Sequence, residues 1–222
     1  LPYKDGSGNY LFYTKMIDLF AGKDPRLFGS ILVPGSTFKG KDIDILAGVA
    51  LWTSGNNFTL LSSTNIGTTY TDGGAWVGGN GPLGMEIHTP NTGFSMRKFI
   101  SDKAGEAIRA SGCTTWWPYF KYDEILLTAA EAAFELSPSQ TTKSLGYINQ
   151  IRSRAGIALL DATTLNIARI QNERRVELAF QDLRWWDLNR FRQAHILLDG
   201  TSKTSEHWAL WPYRVFAPQN PA

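Results

Sequence analysis

A chain of 222 residues with 22 lysines and arginines against 20 aspartates and glutamates carries a formal net charge of +2, and with no basic run it lacks the charge to grip a phosphate backbone. No stretch approaches the roughly 20 apolar residues of a membrane-crossing helix, and a lone cysteine, Cys113, cannot form an internal disulfide. The length allows one substantial core or two small ones, and the unusual quantity is aromatic content, 13% with eight Trp.

Glycine punctuates the first half: eighteen of the 21 lie in residues 1–112. A short amphipathic helix is predicted over residues 10–20, with Gly22 just past its end, where a left-handed residue belongs. Residues 27–33 read as a strand stopped by Pro34-Gly35, and residues 94–99 as another, weakly alternating one. Between them, residues 52–93 hold Gly-Gly pairs at 73–74 and 78–79 amid many Asn, Thr and Ser. That composition predicts a long loop, and loops of such length are usually functional or disordered.

Helical signals are stronger beyond residue 112. An apolar stripe of Tyr119, Tyr122, Leu126, Ala129, Ala130, Ala133 and Phe134 follows i,i+3/i+4 spacing until Ser137-Pro138 stops it. A second helix fits residues 142–155, with Leu145, Ile148 and Ile151 on one side and Gly156 beyond its end. The short turn between them sets the two helices antiparallel. A third helix is predicted over residues 164–180 behind a Thr cap, and a fourth over 182–198, ended by Gly200. Such pairs resemble tetratricopeptide units, although one pair is not an array.

The third helix puts Ile170, Arg174, Glu177 and Leu178 on one side, so charges share the apolar stripe. A charge there is costly unless paired, and Arg174 with Glu177 at i,i+3 supplies one pair. Glu173 and Glu177 repel at i,i+4, so each is expected to find an arginine on another element. Two carboxylates among arginines could be an acid/base site. A charge network pinning helices together is the preferred reading for Glu173, Arg174, Arg175 and Glu177, because such networks perturb carboxylates without doing chemistry.

The string from Asn172 to Phe180, N-E-R-R-V-E-L-A-F, followed by R-W-W-D-L at 184–188, closely resembles the signature near the C-terminus of SusD/RagB-family proteins. Upstream segments agree in the family's order. Lys23-Asp24-Pro25-Arg26-Leu27 resembles its D-P-R-L element, residues 94–99 its G-x-x-x-R-K strand, residues 119–127 its R-Y-A-E-V-L-L helix and residues 147–156 its Y-I-N-x-V-R-x-R-A-G. The resemblance implies a mainly α fold, a tetratricopeptide-like helical hairpin stack (an α-α superhelix) with a long loop-rich insertion and a few short strands. It divides the chain into a loop-rich part with ligand-facing loops, 1–112, and a helical part, 113–222. Family members are about twice this length, so the family's N-terminal half, signal peptide and lipidated cysteine are expected upstream of Leu1.

By the same resemblance, the intact protein is lipid-anchored at the cell surface in the outer membrane. There it binds oligosaccharide or polysaccharide and delivers it to a SusC-like TonB-dependent transporter, with no cofactor, no metal and no nucleic-acid partner. A peptide-binding or purely structural helical-repeat adaptor is the alternative. Catalysis is not expected. His88, His195 and His207 have no ligand spacing, Asp42-x-Asp44 lacks the rest of a calcium loop, and residues 45–85 contain a single acid, Asp72, where glycoside cleavage needs two opposed carboxyls.

Carbohydrate binding calls for rings to meet the C–H faces of sugars and amides to meet their hydroxyls. The 52–80 region offers Trp52, Phe58, Tyr70 and Trp76 with Asn57, which are therefore the candidate ligand contacts. The bland alternative for each ring is that it pins the loop to the core. Trp116, Trp117, Trp185 and Trp186, on or beside strong helices, read as core or inter-domain packing, with Trp208 and Trp211 in between.

Overall fold

The computed structural model describes residues 3–81, 90–108, 112–200 and 209–216. The helix predicted over residues 10–20 is confined to its last turn, the 3-10 segment Met16–Phe20, followed by Gly22 at φ +68°. Residues 10–12 are diverted because Tyr10 and Phe12 pack their rings on Phe58. A short helix, α1 (Arg26–Ser30), and a two-residue strand, β1 (Ile31–Leu32), replace the strand predicted over 27–33. Asp24 accepts the Arg26 amide at 3.0 Å and Pro25 holds φ at −57°, which together start a helical turn.

Two further short strands, β2 (Thr37–Phe38) and β3 (Lys41–Asp42), pair with each other. The hairpin of β4 (Gly48–Ser54) and β5 (Asn57–Ser62) occupies residues expected to begin a long loop. Its two-residue turn, Gly55-Asn56, puts Gly55 at φ +51°, the conformation such hairpin turns require. After β6 (Ser95–Met96), which pairs with β1, the chain turns helical. It returns at β7 (Tyr213–Phe216), parallel to β4, giving the sheet order β5-β4-β7. The glycine-rich and helical parts therefore share one sheet.

The predicted helical pair is α2 (Tyr122–Glu135) and α3 (Thr141–Arg154). Their order is antiparallel: Asp123 meets Arg154, Leu127 clusters with Ile151, and Ala130 clusters with Ile148. Ser144 Oγ donates to the Ala130 carbonyl at 2.7 Å, satisfying a buried hydroxyl between them. Next comes α4 (Ile167–Glu177), capped by Asn166, which accepts the Arg169 amide at 2.9 Å. Thr164, the expected cap, belongs instead to the preceding turn around Asp161.

The predicted fourth helix is broken into α5 (Arg184–Arg190) and α6 (Ala194–Leu197), because Arg192 between them sits at φ +54°. The helical core holds Leu127, Ile148, Ile151 and Ile170, all essentially inaccessible, each contributing about 1.5–3 kcal/mol by burial. Phe20, Val33, Pro34, Ile45, Ala47 and Val49 are fully buried among the described residues of the sheet half. No helix among the described residues is long and apolar enough to cross a membrane.

Candidate functional site

The charged stripe of α4 is buried and fully paired, but not as its own spacing predicts. Arg174 turns away from Glu177 to grip Asp187 of α5, with Nε 2.8 Å from both carboxylate oxygens. Glu177 accepts from Arg154 at 2.7 Å and from Arg26 at 3.0 Å. Glu173 accepts from Arg26 at 2.6 Å and also from Arg152. Arg175 is exposed and bonds only to Asn172 among the described groups, so it stands outside the network. Lys98 Nζ donates to the Glu177 and Ala179 carbonyls at 2.9 and 3.1 Å, closing the C-terminal end of α4.

These residues come from all five segments singled out in the sequence. Asp24 and Arg26, Lys98, Asp123, Arg152 with Arg154, and the α4 glutamates are far apart in the chain and meet here. Burial would raise the Asp123 carboxyl, but Lys121 and Arg154 bring it down to about 2. Burial among the cations Lys121 and Arg154 lowers Lys98 to about 8. Asp24, Asp123, Glu173, Glu177 and Asp187 each have a cationic partner within 3 Å. Carboxylates so neutralised are poorly placed to move a substrate proton, and the arrangement acts as a clasp between distant segments.

The five candidate contact residues separate into two groups. Strand register sets Trp52 opposite Phe58 and Leu51 opposite Phe216. Opposed residues share a sheet face and successive residues alternate, so Trp52, Phe58, Tyr213 and Val215 lie on one face. Leu51, Arg214 and Phe216 lie on the other. Trp52 is half-buried, its Nε1 donating to the Gly55 carbonyl at 2.8 Å, and Asn57 is exposed at the start of β5. Phe58 receives Tyr10 edge-on at 5.5 Å and Phe12 at 6.0 Å.

Tyr70 and Trp76 pack with the opposite face. Tyr70 meets both Trp76 and Phe216 edge-on at 5.5 Å. Arg214 pairs with Asp72 and donates to the Ala75 carbonyl, holding the intervening turn on β7, and its hydrogen bonds pull the Asp72 carboxyl below the usual range. Trp76 Nε1 is buried without a hydrogen-bond partner among the described residues.

A cleft of about 930 Å³ borders the Trp52 face, lined by Tyr10, Phe12, Tyr13, Asp42, Asp44 and Tyr213 among others. Its N-terminal rings were not among the sequence candidates, because residues 10–20 read as a helix; three aromatics in Tyr10, Phe12 and Tyr13 were the available signal. Asp42 and Asp44 come from one short stretch, so they do not oppose each other across a bound molecule.

The paired tryptophans are not core. Trp185 and Trp186 are 56% and 69% exposed, and Trp116 and Trp117 are exposed as well, because α5 turns Asp187 and Leu188 inward instead. Trp211 is partly exposed and bonds the Asn91 carbonyl. His88, His207 and Trp208 lie outside the described residues. Among the described residues no group of three or more His, Cys, Asp or Glu is placed to hold a metal.

A model of the SusD family matches residues 2–212. Among curated proteins, SusD-like protein P2 of Formosa agariphila is 35% identical over 82 residues, 32% of this chain and 16% of that protein. SusD-like protein P38 of the same organism is 30% identical over 104 residues, 42% of this chain and 20% of that protein. A solved SusD-like carbohydrate binding protein from Bacteroides fragilis aligns with a TM-score of 0.57 at 22% identity, over 98% of this chain and 42% of its own. Another SusD-like protein from B. fragilis gives 0.50 at 23% identity, over 80% of this chain and 29% of its own. These structural likenesses concern the fold, and the matched region is less than half of each relative.

Proposed function

The chain belongs to the SusD family, and from that premise we propose that it binds oligosaccharide or polysaccharide without cleaving it. In the intact protein, this binding serves delivery to a SusC-like TonB-dependent transporter from a lipid-anchored position on the outer-membrane surface. Residues 1–112 supply the ligand-facing loops and residues 113–222 the helical scaffold, with β7 completing the sheet from the helical side.

The observation that carries the binding reading is the ring-lined cleft beside the β4–β5 hairpin. Partly exposed Tyr10, Phe12 and Tyr13, with Tyr10 and Phe12 packed on Phe58 and Tyr213 also in the lining, offer flat apolar faces next to the carboxylates of Asp42 and Asp44. That combination suits sugars, which need a few convergent polar groups on an otherwise apolar wall. Tyr70 and Trp76 hold the 69–76 turn in place and act on the ligand only through the sheet.

A calorimetric screen of this chain against neutral, amino and acidic oligosaccharides tests the proposal. Saturable binding of at least one glycan, with no reducing ends released on prolonged incubation, is the expected result. Release of reducing ends would overturn the non-catalytic assignment, and capture of unstructured peptides with no glycan binding would favour the adaptor.

A further inference from the structure

Among the described residues, four with charged side chains line the cleft: Lys15, Asp42, Asp44 and Arg214. The two cations are offset by carboxylates of their own. Both terminal nitrogens of Arg214 bond the Asp72 carboxylate, one of them at 2.9 Å. Asp18 lies beside Lys15, its Oδ2 accepting the Lys15 backbone amide at 3.3 Å. Asp42 and Asp44 are different, because hydrogen bonds alone hold them and no described cation pairs with either.

Both carboxylates are fixed in the wall. Asp42 Oδ1 accepts from the Thr37 hydroxyl at 2.9 Å across the β2–β3 hairpin, and Asp44 Oδ1 accepts the Leu46 amide at 3.2 Å. The Asp44 backbone is pinned from a distant part of the chain. Its carbonyl accepts the Asn80 amide at 2.8 Å, and its amide donates to Asn80 Oδ1 at 3.3 Å. Gly78 lies so close that a Cβ there would overlap the Asp44 carboxylate. Each Oδ2 is left without a hydrogen bond from any described residue. An open carboxylate oxygen among apolar rings keeps its field, since low-dielectric walls focus charge into a cleft.

On the binding reading above, we propose that this cleft selects its oligosaccharide by charge, taking amino sugars in their protonated form and rejecting acidic ones. An ammonium in the cleft donates charge-assisted hydrogen bonds to the open carboxylate oxygens. A uronate there meets like charges that cannot swing away, and that penalty falls on the acidic ligand alone.

Calorimetry on the 222-residue chain compares glucosamine oligomers with galacturonate oligomers of equal length at low ionic strength. The expected result is roughly tenfold tighter binding of the glucosamine oligomers, a preference that shrinks as salt is added. In an Asp42→Asn/Asp44→Asn chain, where the amide oxygens preserve both fixing hydrogen bonds, glucosamine affinity falls and galacturonate affinity rises. Damage to the fold would weaken both, so the opposite shifts report charge. Equal affinities, a galacturonate preference, or a preference that survives both substitutions would overturn the proposal and leave glycan binding intact. Binding of neutral oligosaccharides alone would overturn it as well. Failure of every glycan to bind would overturn the binding reading and this inference with it.

Discussion

Glu173 holds Arg26 and Arg152 at once, in a position where water cannot replace it, so its removal would take from Arg152 its carboxylate partner and leave Arg26 to Asp24 and Glu177. Breaking a buried pair of this kind costs about 3–5 kcal/mol. Glu173→Ala and Arg174→Ala are each expected to lower unfolding free energy by that amount in urea titrations, whereas Arg175→Ala, which touches only Asn172, is expected to change it by less than about 0.5 kcal/mol. Titration separates two other members of the clasp. Asp123 is held at about 2, below the ordinary 3.8, so its contribution is complete above about pH 4 and is lost as pH falls toward 2. An Asp123→Asn chain should show a flatter acid limb across that window. Lys98 is lowered to about 8 from 10.5, so between those values the unfolded chain binds more protons. The folded state therefore gains stability as pH rises through the interval, and Lys98→Met should remove that rise.

At the scale of elements, helices were legible and strands largely were not. The α2 and α3 stripes run through fourteen residues each, enough for a 3.6 period to declare itself. Strands such as β1 and β6 are two residues long and exist only because a distant partner completes them, which no local pattern records. The β4–β5 hairpin was readable in principle from Gly55-Asn56, but its polar composition imitated a loop. Charge pairing failed locally for a similar reason: Arg174 sits an ideal three residues from Glu177, yet tertiary packing brings Asp187 closer. Two predictions follow from these elements. Gly55→Val, which forces a β-branched residue to φ +51°, is expected to cost about 1–3 kcal/mol and to weaken glycan binding by loosening the hairpin tip. Arg214→Ala, which frees the 69–76 turn from β7, is expected to speed hydrogen exchange at the Tyr70 and Trp76 amides, both bonded within that turn region, while the α3 amides keep their protection.

Across the whole molecule, the clasp and the cleft are separate devices. The clasp gathers Asp24, Arg26, Lys98, Lys121, Asp123, Arg152, Arg154, Glu173, Arg174, Glu177 and Asp187, while the cleft is bounded by residues 10–19, 42–46 and β7. The family motifs were visible in the sequence because clasp residues are charged and sit in apolar surroundings. The cleft was not, because its rings come from an irregular N-terminal segment and from β7, which are far apart in the chain and meet only in the fold, and the five sequence candidates divide between two faces of one sheet. That division makes the central claim testable by calorimetry on a glycan found to bind. Tyr10→Ala should weaken affinity by on the order of 1–3 kcal/mol, by analogy with stacking on aromatic rings, and Phe58→Ala, which removes the ring that Tyr10 and Phe12 pack on, should weaken it as well, whereas Trp76→Ala, on the opposite face, should bind within about twofold of the parent chain. Loss of binding in Trp76→Ala with Tyr10→Ala and Phe58→Ala unaffected would contradict the account and put the glycan on the other side of the sheet.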